Sequence, residues 1–177
     1  MAKVRLMILD LYQGNPKLGY LMHKGWWAGL ELNEEKTKIV DTSGGKQGFD
    51  FLGFHHRRVK SWRYRKFYTH KWPSDKAMKK VKASIRDILA NRGILNWNVE
   101  RVVGKINPIL RGWMNYFKYG NSAKKFSKMD SYVQERLALW WSKKHQKSGR
   151  RWKSDFTYKK FKTCGVQTLS GNVTYWT

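Results

Sequence analysis

The stretch Pro73-Ser74-Asp75-Lys76-Ala77-Met78-Lys79-Lys80-Val81-Lys82-Ala83-Ser84-Ile85-Arg86-Asp87-Ile88-Leu89 changes the character of the chain. Met78, Val81, Ile85, Ile88 and Leu89 recur at the intervals of a helix, while Lys79, Lys80, Lys82 and Arg86 occupy the other face. Ser74 suits the N-cap, and Asp75 lies where the helix dipole favours a negative charge. Asn91-Arg92-Gly93 reads as the glycine-type stop. The expectation is an amphipathic helix with one apolar and one cationic side.

Working outward toward the C-terminus, a second helix is predicted from about Asn98. Val99, Val102, Val103, Ile106, Ile109, Leu110, Trp113 and Phe117 form its stripe. Pro108 lies inside it, where a proline removes one backbone donor and presses on the carbonyl of Gly104, so a kink or a break is expected. Tyr119-Gly120-Asn121-Ser122 marks a stop and a new start. A third helix is predicted over Ala123 to Lys144, with Phe126, Met129, Tyr132, Val133, Leu137, Trp140 and Trp141 on its apolar side. Three amphipathic helices joined by short loops make a three-helix bundle. From Gln146 onward no period is sustained, and this stretch reads as ordered on partners or as the start of a further domain.

Working outward toward the N-terminus, the texture is that of strands. Lys36-Thr37-Lys38-Ile39-Val40 reads as one, Asp41-Thr42-Ser43-Gly44-Gly45 as turn chemistry, and Phe49-Asp50-Phe51-Leu52-Gly53-Phe54 as a second strand with Phe49 and Phe51 on one face. A β-hairpin results. Val59 to Tyr68 reads as a weaker third strand, with charge on both faces. Residues 1–28 carry Gly14, Pro16, Gly19 and Gly25 and yield no pattern.

Composition narrows the partner. In 177 residues there are 37 Lys and Arg against 12 Asp and Glu, a formal charge of +25, with 10 Trp, 9 Tyr and 8 Phe. An excess of that size calls for a polyanion. The aromatic content favours nucleic acid over a membrane surface, because flat rings stack on bases while cations neutralise phosphates. No apolar run approaches the roughly 20 residues of a membrane span. Cys164 is the only cysteine, which removes any internal disulfide or cysteine-built zinc site and fits a reducing compartment such as a bacterial cytoplasm or an organelle. His23, His55, His56, His70 and His145 lack metal-ligand spacing and read as surface or RNA-facing groups, so neither metal nor cofactor is expected.

Three groups of residues carry a family resemblance. The first is Leu30-Glu31-Leu32-Asn33-Glu34-Glu35-Lys36-Thr37 followed by Phe51-Leu52-Gly53-Phe54. The second is Pro73-Ser74-Asp75-Lys76-Ala77-Met78. The third is Asn107-Pro108-Ile109-Leu110-Arg111-Gly112-Trp113-Met114-Asn115-Tyr116-Phe117 followed by Phe126-Ser127-Lys128-Met129-Asp130-Ser131-Tyr132-Val133. In this order and spacing the chain resembles the C-terminal part of group II intron reverse transcriptase/maturases: the end of the palm, then the maturase-specific thumb or X domain. The resemblance implies a mainly α fold, a three-helix thumb preceded by a small β-hairpin remnant of the palm. It implies four segments: an unassigned 1–28, the end of the palm over 29–72, the thumb over 73–146 and a basic tail over 147–177.

By resemblance, Lys36, Thr37, Leu52, Gly53 and Phe54 inherit the position of the hairpin that steadies a primer, and Arg111, Trp113, Asn115 and Tyr116 match the most recognisable thumb motif. The residues themselves leave alternatives open. Trp113 and Phe117 fall on the apolar stripe and suit core packing, while Arg111 and Asn115, four apart, can tie neighbouring loops as readily as bind phosphate. The charges are more telling: Arg57, Arg58, Lys60, Arg63, Arg65, Lys66, Lys71, Lys76, Lys79, Lys80, Lys82 and Arg86 face only Asp75 in that interval, which favours phosphate contact. Lys124, Lys125 and Lys128 extend the expected RNA-binding set.

The family's polymerase chemistry uses metal ions on palm aspartates, usually in a Tyr-x-Asp-Asp turn, and no such turn occurs in this sequence. The chain is therefore expected to be no enzyme by itself. The leading expectation is an RNA-binding maturase module that assists the folding and splicing of structured intron RNA. The alternatives are the C-terminal subunit of a split reverse transcriptase, whose partner chain carries the palm aspartates, and a non-catalytic basic component of a larger ribonucleoprotein.

Overall fold

A computed structural model describes residues 40, 42, 45–147 and 157–174. The chain divides into two compact units, Met1–His70 and Lys71–Thr177. The strand expected at residues 36–40 and the unassigned segment 1–28 lie outside the described residues, apart from Val40, which is in no strand.

The first unit holds an antiparallel hairpin, β1 (Gly48–Phe51) with β2 (Phe54–Lys60), and the start of β3 (Phe67–Pro73), in the sheet order β1-β2-β3. A hairpin is present, but not the expected pairing of 36–40 with 49–54: it folds back within Phe49–Phe54, the stretch expected to be a single strand. Phe51 pairs with Phe54, so Leu52 and Gly53 are the whole loop, and both have positive φ, 47° and 82°. Two such residues make the mirror-image turn whose twist matches the strands. Leu carries no turn signal, so the local pattern reads as a strand running through it; the cross-strand pairing overrides that preference. Phe49 and Phe51 do share a face, with His56 between them: its ring stacks 5.1 Å from Phe49 and sits 6.3 Å from Phe54. His55 lies opposite Asp50, with Nδ1 2.6 Å from the carboxylate. Both histidines are thus half-buried parts of the sheet. Val59 to Tyr68 is not one strand either, since residues 61–66 form a tight loop between β2 and β3.

The second unit is helical: α1 (Asp75–Ala90), α2 (Val99–Phe117), α3 (Ala123–Lys144) and a short α4 (Tyr158–Thr163). The mainly α fold with a small sheet ahead of the helices is as expected. Ser74 caps α1 by accepting from the Ala77 N–H at 3.2 Å, and Asn98 caps α2 through the Arg101 N–H. The stop of α1 differs from expectation. Gly93 is not left-handed; instead the Asn91 side chain accepts from the Gly93 N–H at 2.8 Å and starts a 3₁₀ turn over Arg92–Asn96. That turn is fastened to the end of α3, where the Lys144 ammonium donates to the carbonyls of Leu95, at 3.2 Å, and Trp97.

Pro108 breaks nothing: α2 is continuous across it. The lost hydrogen bond lies on the exposed side of α2, while Val102, Val103, Ile106 and Leu110 anchor the buried side at both ends of the defect. The core combines these with Met78, Val81, Ile85 and Leu89 of α1 and Phe126, Met129, Val133, Leu137 and Trp140 of α3. Trp113 packs on Phe117 at 4.9 Å and on Phe126 at 5.5 Å, so the core reading of Trp113 and Phe117 holds.

The aperiodic tail has a place in this unit. Phe161, Val166 and Leu169 are buried. Asn107 of α2 donates to the Gly165 carbonyl and accepts from the Gln167 N–H, both at 2.9 Å. Asp130 of α3 accepts from the Leu169 N–H, the Ser170 N–H and the Ser170 hydroxyl. Thr174 completes the closure against Lys118 and Tyr119. At the other end of the unit, Lys71 and Asn121 exchange two hydrogen bonds, and a Cβ on Gly120 would meet the Lys71 carbonyl at 2.7 Å. Only glycine permits that approach.

Candidate nucleic-acid interface

α1 and α3 run side by side in the same direction. The Lys125 ammonium lies 2.6 Å from the Asp75 carboxylate at their first turns, and the Tyr132 hydroxyl donates to the Lys82 carbonyl at 3.1 Å two turns on. The first two turns of both helices therefore lie together, and they carry Lys76, Lys79, Lys80, Lys124 and Lys128, all exposed. This placement opposes ordinary helix electrostatics. The N-terminal end of a helix is the positive end of its dipole, and an unpaired cation in the first turn, here Lys76 on α1 and Lys124 on α3, costs about 0.3–1 kcal/mol. α3 has no acidic residue in its first turn, and its N-cap Ser122 turns its hydroxyl back to the Phe117 carbonyl instead of capping. A polyanion laid across this end would offset both deficits.

Not every predicted lysine is free to join in. Lys125 is drawn into the pair with Asp75, the acidic residue of the first turn of α1, and its role is to hold α3 to α1. Lys82 is half-buried, with its ammonium 4.7 Å over the Tyr132 ring. Arg86 is exposed but lies 3.6 Å from the neighbouring Asp87. On α2, Arg111, Asn115 and Tyr116 are all exposed and share one face with Arg101, Lys105 and Pro108. Gly104 and Gly112 lie on this face too, with no atom within 4 Å of where a Cβ would stand.

In the first unit the predicted residues divide by position. Leu52 and Gly53 are the hairpin turn and Phe54 is the first residue of β2. Arg57 donates from Nε to the Gly45 carbonyl at 2.8 Å, and the Arg58 guanidinium covers the Phe67 ring at 5.4 Å. Arg63 and Arg65 are exposed in the loop between β2 and β3, beside Trp62 and Tyr64. Lys36 and Thr37 lie outside the described residues.

Two kinds of residue escape a reading of the sequence. Asn107 and Asp130 figure there only as members of longer motifs, yet they seat the tail; the signal for Asp130 is its spacing from Phe126 and Val133, which puts a carboxylate on the apolar stripe. Trp62 and Tyr64 read as strand residues, and nothing in the sequence announces their exposure. Burial pushes the Cys164 thiol above its ordinary value, against an opposing pull from Lys160 and with a further push from Glu100. No group of three or more His, Cys, Asp or Glu that could hold a metal ion occurs among the described residues. No helix among them is long and apolar enough to cross a membrane.

Comparison with curated proteins finds no match for the chain. Comparison with protein families finds a match over residues 78–156: the group II intron, maturase-specific domain. The matched span, somewhat under half of the 177 residues, begins within α1 and takes in all of α2 and α3. Most of the part that assembles the lysine-bearing helix pair is thus similar to the group II intron, maturase-specific domain.

Proposed function

We propose that this chain is an RNA-binding module that grips structured group II intron RNA and assists its folding and splicing. The observation that supports this best is the crowding of the exposed Lys76, Lys79, Lys80, Lys124 and Lys128 at the start of two parallel helices, a concentration of positive charge at the positive ends of both dipoles that suits an anion. Phosphates of a folded RNA supply that anion in a fixed array. The direct test is a filter-binding titration of the full chain with a group II intron RNA, an unrelated structured RNA and duplex DNA. Tightest retention is expected for the intron RNA. Equal affinity for all three would remove the intron-specific claim, and no retention at low salt would remove RNA binding altogether.

A second reading concerns the β1–β2 hairpin, whose Phe51-Leu52-Gly53-Phe54 turn resembles the end of a reverse transcriptase palm. It makes this chain the C-terminal subunit of a split reverse transcriptase. Since the sequence has no Tyr-x-Asp-Asp turn, the chain alone is expected not to extend a primer. Recovery of a co-purifying chain with palm aspartates, and primer extension only by the mixture, would support this reading; extension by this chain alone would overturn it.

A further inference from the structure

We infer that the loop between β2 and β3 is a stacking site for an unpaired RNA base, with the Trp62 indole as its platform. The inference rests on the RNA-binding reading and adds to it a place and a ligand feature, the open face of a base. Trp62 is 94% exposed and Tyr64 62% exposed. An indole usually buries about 150–250 Å² against something, so one left almost wholly in water at a loop tip is a large unused contact surface.

The loop does not need either ring for its own shape. The Ser61 N–H donates to the Lys66 carbonyl at 2.8 Å, and the Arg65 N–H donates to the Ser61 carbonyl at 2.9 Å. The Ser61 hydroxyl accepts from the Tyr64 N–H at 3.3 Å, and Arg65 takes the left-handed conformation, φ 51°, that closes the turn. Backbone and one serine thus fix the turn, and the two aromatic side chains are carried on it without being used by it. A rigid turn of this kind presents its rings with little conformational entropy left to lose on binding.

The neighbours choose the ligand. Lys60, Arg63, Arg65 and Lys66 flank the rings, and no Asp or Glu occurs from Phe51 to Ser74. The Arg63 guanidinium lies 5.7 Å from the Tyr64 ring, a second flat cationic surface beside the first platform. Rings alternating with guanidinium and ammonium groups match a strand that alternates bases with phosphates. A bilayer surface would ask for aliphatic bulk beside the indole, and residues 60–66 contain none. Inside a duplex both faces of a base are already covered by its neighbours. Only a bulge, a loop, an end or a single strand offers a free face, so the site separates unpaired from paired RNA.

The test uses the full chain and two probes: a short single-stranded RNA carrying one 2-aminopurine, and the same strand in a blunt duplex with its complement. Trp62→Ala should weaken binding of the single strand by about tenfold or more and remove the 2-aminopurine quenching seen with the unaltered chain. Trp62→Phe should keep most of both, and duplex affinity should change by less than about twofold. Because Trp62 is outside every core contact, thermal melting of Trp62→Ala should match that of the unaltered chain. Unchanged single-strand binding by Trp62→Ala would overturn the stacking site while leaving RNA binding intact, as would an equal loss with both probes. If the unaltered chain bound neither probe, the RNA-binding reading would fall and the stacking site with it. Trp62-dependent uptake by phosphatidylserine vesicles, with RNA binding indifferent to the substitution, would assign the loop to a membrane and overturn the inference.

Discussion

Asp130 sits four residues after Phe126 and three before Val133, so α3 delivers its carboxylate to the buried side. There it accepts from two backbone N–H groups and one hydroxyl at 2.6–2.9 Å, holding Leu169 and Ser170 against the helix. Asp130→Ala leaves those donors without an acceptor, and about 3 kcal/mol of stability should be lost, read as a lowered urea midpoint. A stability unchanged within about 0.5 kcal/mol would show the tail to be held by its other contacts, the Asn107 hydrogen bonds and the burial of Phe161, Val166 and Leu169. Cys164 offers a second check at this scale. Its raised titration point keeps the thiol protonated and slow to react near neutral pH, since only the thiolate is nucleophilic. Alkylation by iodoacetamide at pH 8 should therefore run faster in the urea-unfolded chain than in the folded one, and the folded rate should keep rising beyond the pH at which the unfolded rate levels off. Equal rates would mean that burial does not shield the sulfur.

α2 places Gly104, Pro108 and Gly112 at four-residue intervals along its exposed side, three of the poorest helix formers in one line. Nothing stands within 4 Å of a Cβ built at Gly112, and its φ is not positive, so no packing or backbone reason requires glycine there. Gly112→Ala should raise stability by about 1 kcal/mol, measured by thermal or urea melting. A loss instead would mean that the helix backbone is not regular at this point. The helices were legible because each carries its own apolar period and, for α1, its own cap: Ser74, the start of α2 near Asn98 and the Ala123–Lys144 limits of α3 stand where the sequence put them. The hairpin turn was not, because Leu52-Gly53 takes its shape from the pairing of Phe51 with Phe54, an arrangement across the strands that no local preference announces. The end of α1 escaped for a related reason, as Asn91 caps forward into the 3₁₀ turn while Gly93, the residue that looks like the stop, is an ordinary member of it.

Across the whole molecule, the charge of +25 was the most legible property, and it names a class of partner without saying where the partner sits. Placement came from the fold: Lys125 is spent on Asp75, whereas Lys76, Lys79 and Lys80 remain at the exposed start of α1. The triple change Lys76→Gln, Lys79→Gln, Lys80→Gln should lower the slope of log affinity against log salt by about 2–3, because each phosphate left unneutralised keeps about one counterion that binding would otherwise release. The same change at Lys125 should reduce stability more than it alters that slope. If the triple variant kept the full slope, phosphate binding would have to be sought elsewhere in the chain. The Lys71–Asn121 bracket over Gly120 has a practical corollary for anyone dissecting the protein. Pro73 looks from its sequence like the natural place to start a shortened version, but a recombinant fragment cut there would discard the two hydrogen bonds that clamp its leading end. One begun at Lys71 or earlier keeps them, and should be the better behaved in expression trials.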